Sequence, residues 1–170
     1  MYRGVLAAAV ALVFFVPAAS AETNYTIVRD ASIGGFARGA TVAQAIEVFG
    51  TPAARQIDGD TCKLTWGAHG VTMETFYLNL GNEGPNPCGP QGRHRSTTVS
   101  GEKWKTSKGL EIGDSLADLR KLYPRSLRET PVSWRLLTRR EFGLSWPSLE
   151  AKVRGKRVVA FKVYGPRVLG

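Results

Sequence analysis

The sequence predicts an α+β protein built from two tandem repeats, each a short helical segment followed by three or four antiparallel strands, with the helices on one face of the sheet. Three observations carry this. The chain matches itself without a gap at a shift of 74 positions. After each matched segment the apolar spacing changes from the helical period to the strand period of two. Apolar residues make up 43% of the chain and include four tryptophans, enough for a packed core.

The N-terminal segment reads first. Arg3 is the only charge before Glu22, residues 5–16 form an apolar run, Pro17 breaks it, and Ala19-Ser20-Ala21 supplies small residues for cleavage. That order is a secretory signal, so residues 1–21 are expected to be removed after Ala21. A run of this length covers roughly 18 Å as a helix, against an apolar membrane core of about 30 Å. No cysteine follows the cut, so lipid attachment there is not expected. No later segment is apolar enough to span a bilayer. The destination is the periplasm, the cell wall or the medium.

The remainder divides into repeats at residues 22–101 and 102–170. Gly35-Phe36 meets Gly109-Leu110, Gly39-Ala40-Thr41-Val42 meets Gly113-Asp114-Ser115-Leu116, and Val48-Phe49 meets Leu122-Tyr123. Gly39 and Gly113 permit a tight approach, and Thr41 and Ser115 cap the helix that follows. Thr41 with Gln44 fits a capping box, while Asp118 chiefly adds charge to its first turn. Val42, Ala45, Ile46 and Phe49 form one stripe; Leu116, Leu119 and Tyr123 form the other. Gly50-Thr51-Pro52 and Pro124 end the helices.

Strands follow each helix. Cys62, Leu64 and Trp66 share a face, which marks Trp66 as core. Gly67 to Gly70 then turns the chain into a strand over residues 71–80. A Gly- and Pro-rich loop over residues 81–92 leads to a third strand at 95–100, and residues 102–107 connect the halves. In the second half, residues 134–137 and 142–146 are predicted strands. Leu149, Ala151 and Val153 point in, with Glu150, Lys152 and Arg154 out; Gly155-Lys156 turns the hairpin, and Val159, Phe161 and Val163 point in.

Cys62 and Cys88 are the only cysteines. In an oxidising compartment an even pair is expected to form a disulfide. There is no C-x-x-C spacing to support redox chemistry.

The run Gly39-x-Thr41-x-x-Gln44-Ala45-x-x-x-Phe49-Gly50-x-Pro52, followed by a strand bearing Cys62 and Trp66, resembles the helix-then-sheet repeat of β-lactamase inhibitor proteins. It is also similar to the related small domain of outer-membrane assembly lipoproteins. The resemblance implies a tandem helix-plus-antiparallel-sheet fold and, by analogy, a binding role. It departs in two ways: the inhibitors carry a disulfide in each repeat, and the lipoproteins need an acylated cysteine where Glu22 stands.

Little in the chain calls for catalysis. His69 and His94 are the only histidines, and no adjacent carboxylate pair accompanies them. Their scatter argues against a metal site. Asp58-Gly59-Asp60 reads as a turn. No phosphate loop, dinucleotide fingerprint or nucleophile elbow occurs, so no cofactor is expected. Charge is more informative. Residues 22–102 carry a net −2 and residues 103–170 a net +10, which favours an anionic partner for the second half. Export turns this away from nucleic acid and towards an acidic protein, an anionic wall polymer or lipid headgroups. Lys152, Arg154, Lys162 and Tyr164 are placed on the outer side of the hairpin. Trp134, with Trp104 and Trp146, is a candidate aromatic anchor. The sequence thus predicts an exported non-enzymatic binding or inhibitor-like module. A structural envelope protein and a hydrolase with an unfamiliar site are the alternatives.

Overall fold

The computed structural model describes residues 24–29, 31–77 and 86–167. The predicted signal, residues 78–80 of the predicted second strand and residues 81–85 of the predicted loop lie outside that set. In chain order the elements are β1 (Thr26–Val28), β2 (Ser32–Ile33), β3 (Phe36–Ala37), α1 (Val42–Phe49), β4 (Ala54–Asp58), β5 (Thr61–Trp66), a 3-10 turn (Gly67–His69), β6 (Val71–Phe76) and β7 (Arg93–Val99). Then come β8 (Lys105–Thr106), α2 (Leu116–Leu122), β9 (Leu127–Thr130), β10 (Ser133–Glu141), β11 (Leu144–Arg154) and β12 (Arg157–Tyr164). The described residues are thus α+β, with two α-helices and mostly antiparallel strands.

The main sheet has eight strands in the order β4-β5-β6-β7-β12-β11-β10-β9. All seven pairings are antiparallel, and β7 with β12 forms the seam. A four-stranded sheet, β3-β2-β1-β8, lies apart from it, with β8 parallel to β1. Trp66, Val71, Val99, Phe161, Ala151 and Trp134 are successive cross-strand partners, and all six are buried. Phe49 of α1 packs on Trp66 with ring centroids 5.6 Å apart. At the other end of the row, the guanidinium of Arg120 on α2 lies 5.0 Å from the Trp134 ring.

The helix starts follow their sequences. Thr41 caps α1 through a capping box with Gln44. Ser115 caps α2 the same way, with Asp118 closing a capping box where it was expected chiefly to add charge. Its carboxylate accepts from Ser115 N at 3.2 Å and from Ser115 Oγ at 2.6 Å. These bonds from Ser115 hold the Asp118 carboxyl below its ordinary range. Thr41 bridges to Arg93 and Ser115 to Arg157, the first residues of β7 and β12. The two glycines differ. A Cβ on Gly39 would stand 2.8 Å from Pro166, so that site needs space; Gly113 has φ 101 and open surroundings, so it needs only the conformation.

Three strand assignments are corrected. Residues 142–146 are not a separate strand: Phe142 and Gly143, with φ 52 and 77, turn the β10–β11 hairpin, and β11 starts at Leu144. Val159 does not point in. A register shift between Lys152 and Val153 brings Val158 inside instead, leaving Val159 exposed. The connection at 102–107 is structured: it forms β8, and Trp104 is fully buried, so it is no surface anchor. Edge strands β4 and β9 went unpredicted because every residue in them is exposed, leaving no alternation to read. Cys62 and Cys88 form the expected disulfide, tying β5 to the segment before β7.

Candidate binding site

The sheet face opposite the Trp66 row carries polar rows. Lys63, Glu74, Ser96 and Tyr164 are successive partners, and so are Thr65, Thr72, Thr98, Lys162, Glu150 and Arg135. A groove of about 520 Å³ opens on this face across the seam. Its cations are Arg38, Arg95, Lys162 and Arg167; its carboxylates are Asp60, Glu74 and Glu141; its aromatic rings are Phe76, Trp146 and Tyr164.

Part of the lining is fixed. Arg38 donates through Nε to the Tyr164 carbonyl at 2.6 Å, and through Nη2 to the Gly165 carbonyl and to Glu141, both at 2.9 Å. The Arg167 guanidinium stacks on Trp146, 3.4 Å from the ring centre. Its backbone N–H donates to Glu141 at 3.1 Å. Burial opposes ionisation of Glu141, but the Arg167 N–H and the Arg38 guanidinium outweigh it and hold the carboxyl below its usual range. The rest is looser. Lys162 Nζ is 4.0 Å from Glu74 and 5.2 Å from the centre of the Tyr164 ring. Arg95 is exposed and has no ion-pair partner among the described residues. The groove thus presents an exposed guanidinium, a weakly paired ammonium, the carboxylates of Asp60 and Glu74, and aromatic surface.

Of the residues singled out from sequence, Lys162, Tyr164 and Trp146 line this groove. Lys152 is on the same face but engaged, its Nζ 3.3 Å from Glu150 and 3.2 Å from Ser133 Oγ. Arg154 ends β11, at the opposite end of that strand from the groove residues Trp146 and Pro147. Trp134 is buried on the other face, beneath Arg120, and cannot serve that surface as an anchor. Arg38, Asp60, Glu141 and Arg167 went unrecognised, because they come from turns and strand ends that only the fold brings together.

Beside the groove, the sheet also sets Glu129 next to Glu150, a carboxylate pair that the spacing along the chain conceals. Burial and a hydrogen bond to Glu150 raise the Glu129 carboxyl against the pull of Arg135. Glu150 goes the other way: burial opposes its charge, but Tyr164, Ser133, Glu129 and Lys152 hold its carboxyl low. Burial and then Glu150 push the Tyr164 phenol above its ordinary range. On the β10–β11 part of the face, Ser133, Glu150 and Lys152 are thus engaged with one another.

Neither histidine lines the groove. His69 Nδ1 lies 3.0 Å from the Tyr25 hydroxyl. His94 is fully buried; its Nδ1 accepts from Gly39 N–H at 3.3 Å and its Nε2 faces Thr97 Oγ1 at 2.9 Å. Burial first, and then the charge of Arg38, lower the His94 pKa to about 3. Between that value and the ordinary 6.5 the unfolded chain binds the extra proton, so stability is complete above pH 6.5 and falls with acidification. From about pH 6.5 to about pH 5 the expected loss is on the order of 2 kcal/mol. Urea unfolding at both pH values checks this. A His94→Gln variant with an equal pH dependence would show the titration to lie elsewhere.

Among the described residues no group of three or more His, Cys, Asp or Glu could hold a metal ion, and no helix is long and apolar enough to cross a membrane. No family model, curated protein or solved structure matches this chain. What the structure itself offers is a sheet-borne groove lined with cations, carboxylates and aromatic rings.

Proposed function

We propose that this chain is an exported, non-enzymatic binding module, inhibitor-like in architecture, that seats an acidic protein surface in the groove on the helix-free side of its sheet. The observation that carries it is the lining: Arg95 with no ion-pair partner among the described residues, Lys162 loosely held beside Glu74, and three aromatic rings in one groove. Arginine and aromatic side chains together are favoured at binding hot spots.

A duplicated architecture underlies the proposal. The capping residues Thr41 and Ser115, 74 positions apart, bridge to the starts of β7 and β12. His94 N donates to Ala40 O at 3.1 Å and Val158 N to Asp114 O at 2.9 Å, again in corresponding places. Phe49 and Arg120 meet opposite ends of one buried row, which supports both helices lying on the same face. These facts favour two repeats, at 22–101 and 102–170, joined at the β7–β12 seam. Export is supported by the signal-like segment and the Cys62–Cys88 bridge.

The test is a pull-down from envelope extract, followed by titration of the captured partner. Arg95→Glu combined with Lys162→Glu is expected to weaken binding about tenfold or more, as loss of interfacial charge pairs does. Arg154→Glu with Lys156→Glu makes the same change of charge away from the groove and should leave affinity within about twofold. No partner retained by the wild type would sink the proposal.

One observation favours a second reading, electrostatic association with an anionic envelope polymer: the net +10 of residues 103–170. Equal losses in both double variants, with binding that fades as salt rises, would select it.

A further inference from the structure

The tip of the β10–β11 hairpin carries a side chain that its own fold disfavours. Glu141 pairs with Leu144, so Phe142 and Gly143 form a two-residue turn with φ 52 and 77. Such a turn takes Asn-Gly or Gly-Gly readily, whereas a bulky aromatic at positive φ is an outlier. Packing does not compensate: Phe142 is 64% exposed, and neighbouring Leu144 is 57% exposed. Strain and exposed apolar surface at one position mark a residue held for something outside the fold.

The surroundings indicate what. β9 pairs with β10 only as far as Arg135, and β12 with β11 only from Leu149. The pairs from Thr138 with Pro147 out to Glu141 with Leu144 therefore form a two-stranded ribbon, with no third strand beside it among the described residues. Phe142 and Leu144 are at its end. Arg140 and Trp146 each lie two residues back along their strands, about 7 Å behind Phe142 and Leu144 respectively. Arg139 is opposite Trp146, and Arg167 is stacked on that ring. The ribbon's carboxylate, Glu141, is neutralised by Arg38 at 2.9 Å and Arg139 at 3.7 Å.

We propose that this tip docks on an anionic lipid surface, with Phe142 and Leu144 entering the boundary between headgroups and acyl chains while Arg140, backed by Arg167, meets lipid phosphate. A layered medium fits the order of side chains better than a protein cavity does. Apolar groups sit foremost, cations follow at a depth matching the roughly 5–10 Å reach of interfacial segments, and a tryptophan lies at headgroup level. The net +10 of residues 103–170 adds long-range attraction.

The experiment uses protein purified after export, with vesicles of phosphatidylcholine containing roughly one-third phosphatidylglycerol as the anionic component. The wild type should sediment with these vesicles, and neither with pure phosphatidylcholine nor at about 1 M salt. Phe142→Ser with Leu144→Ser should weaken partitioning about tenfold, and Arg140→Gln about fivefold. Phe142→Asn separates binding from folding, since asparagine tolerates the turn: its melting temperature should rise while vesicle binding falls. No sedimentation of the wild type, or serine variants that bind as well as it does, would overturn the proposal. So would tip variants that bind vesicles normally but lose a protein partner. The groove proposal stands or falls separately, on Arg95 and Lys162.

Discussion

Replacing Trp104 with alanine is expected to destabilise the protein by roughly 3–5 kcal/mol, the cost of emptying a large aromatic site in a core. Trp104 is fully buried although it lies just before β8, in a segment the sequence offers only as a connection. Its ring meets Tyr25 edge-on at 5.2 Å and lies 6.5 Å from Phe49, so it joins the N-terminal segment to α1. Its indole N–H donates to the His69 carbonyl at 2.7 Å. Truncation therefore opens a cavity and also leaves a carbonyl without its donor. Trp104→Phe separates the two costs, because it keeps most of the volume and should lose about 1–3 kcal/mol. Urea unfolding followed by circular dichroism measures both. A loss below about 1 kcal/mol for alanine would mean that the site collapses freely and that Trp104 is not a core anchor.

The double substitution Cys62→Ala with Cys88→Ala should cost about 3.5 kcal/mol, because the bridge no longer restricts the unfolded chain. The two Cα atoms stand 5.2 Å apart across 26 positions of sequence. The bridge fastens the loop that carries Cys88 against β5, and Thr75 Oγ1 on the neighbouring β6 donates to the Pro87 carbonyl at 2.7 Å. For a protein of this size the loss corresponds to a fall of about 7–14 °C in melting temperature. Thermal unfolding with and without reductant should reproduce it. An unchanged midpoint in the double variant would show that local packing already holds the loop.

Elements with strong periodicity were legible. The stripe of Val42, Ala45 and Phe49, the alternation of Cys62, Leu64 and Trp66, and the Gly155-Lys156 turn all follow from local spacing, and the structure has them. Errors fell where one residue changes the phase. The shift at Lys152/Val153 exchanged Val158 for Val159, and no pattern of apolar residues announces such a bulge. Phe142, expected in a strand, instead holds the positive φ of a hairpin turn, a conformation rare for an aromatic residue. The groove was legible only in part: Lys162 and Tyr164 sit two apart on one strand, but Arg38 reaches them over more than a hundred positions.

By itself, the amino-acid order determined the α+β class, the two capped helices, the disulfide and the basic character of the second half. Each depends on residues close in the chain or on a count of charges. Only the tertiary structure decided which outward-facing side chains remain available. It joined β7 to β12, engaged Lys152 with Glu150, buried Trp134 and Trp104, and left Arg95 facing the groove. Availability depends on cross-strand register and on neighbours far apart in sequence, which local spacing does not encode.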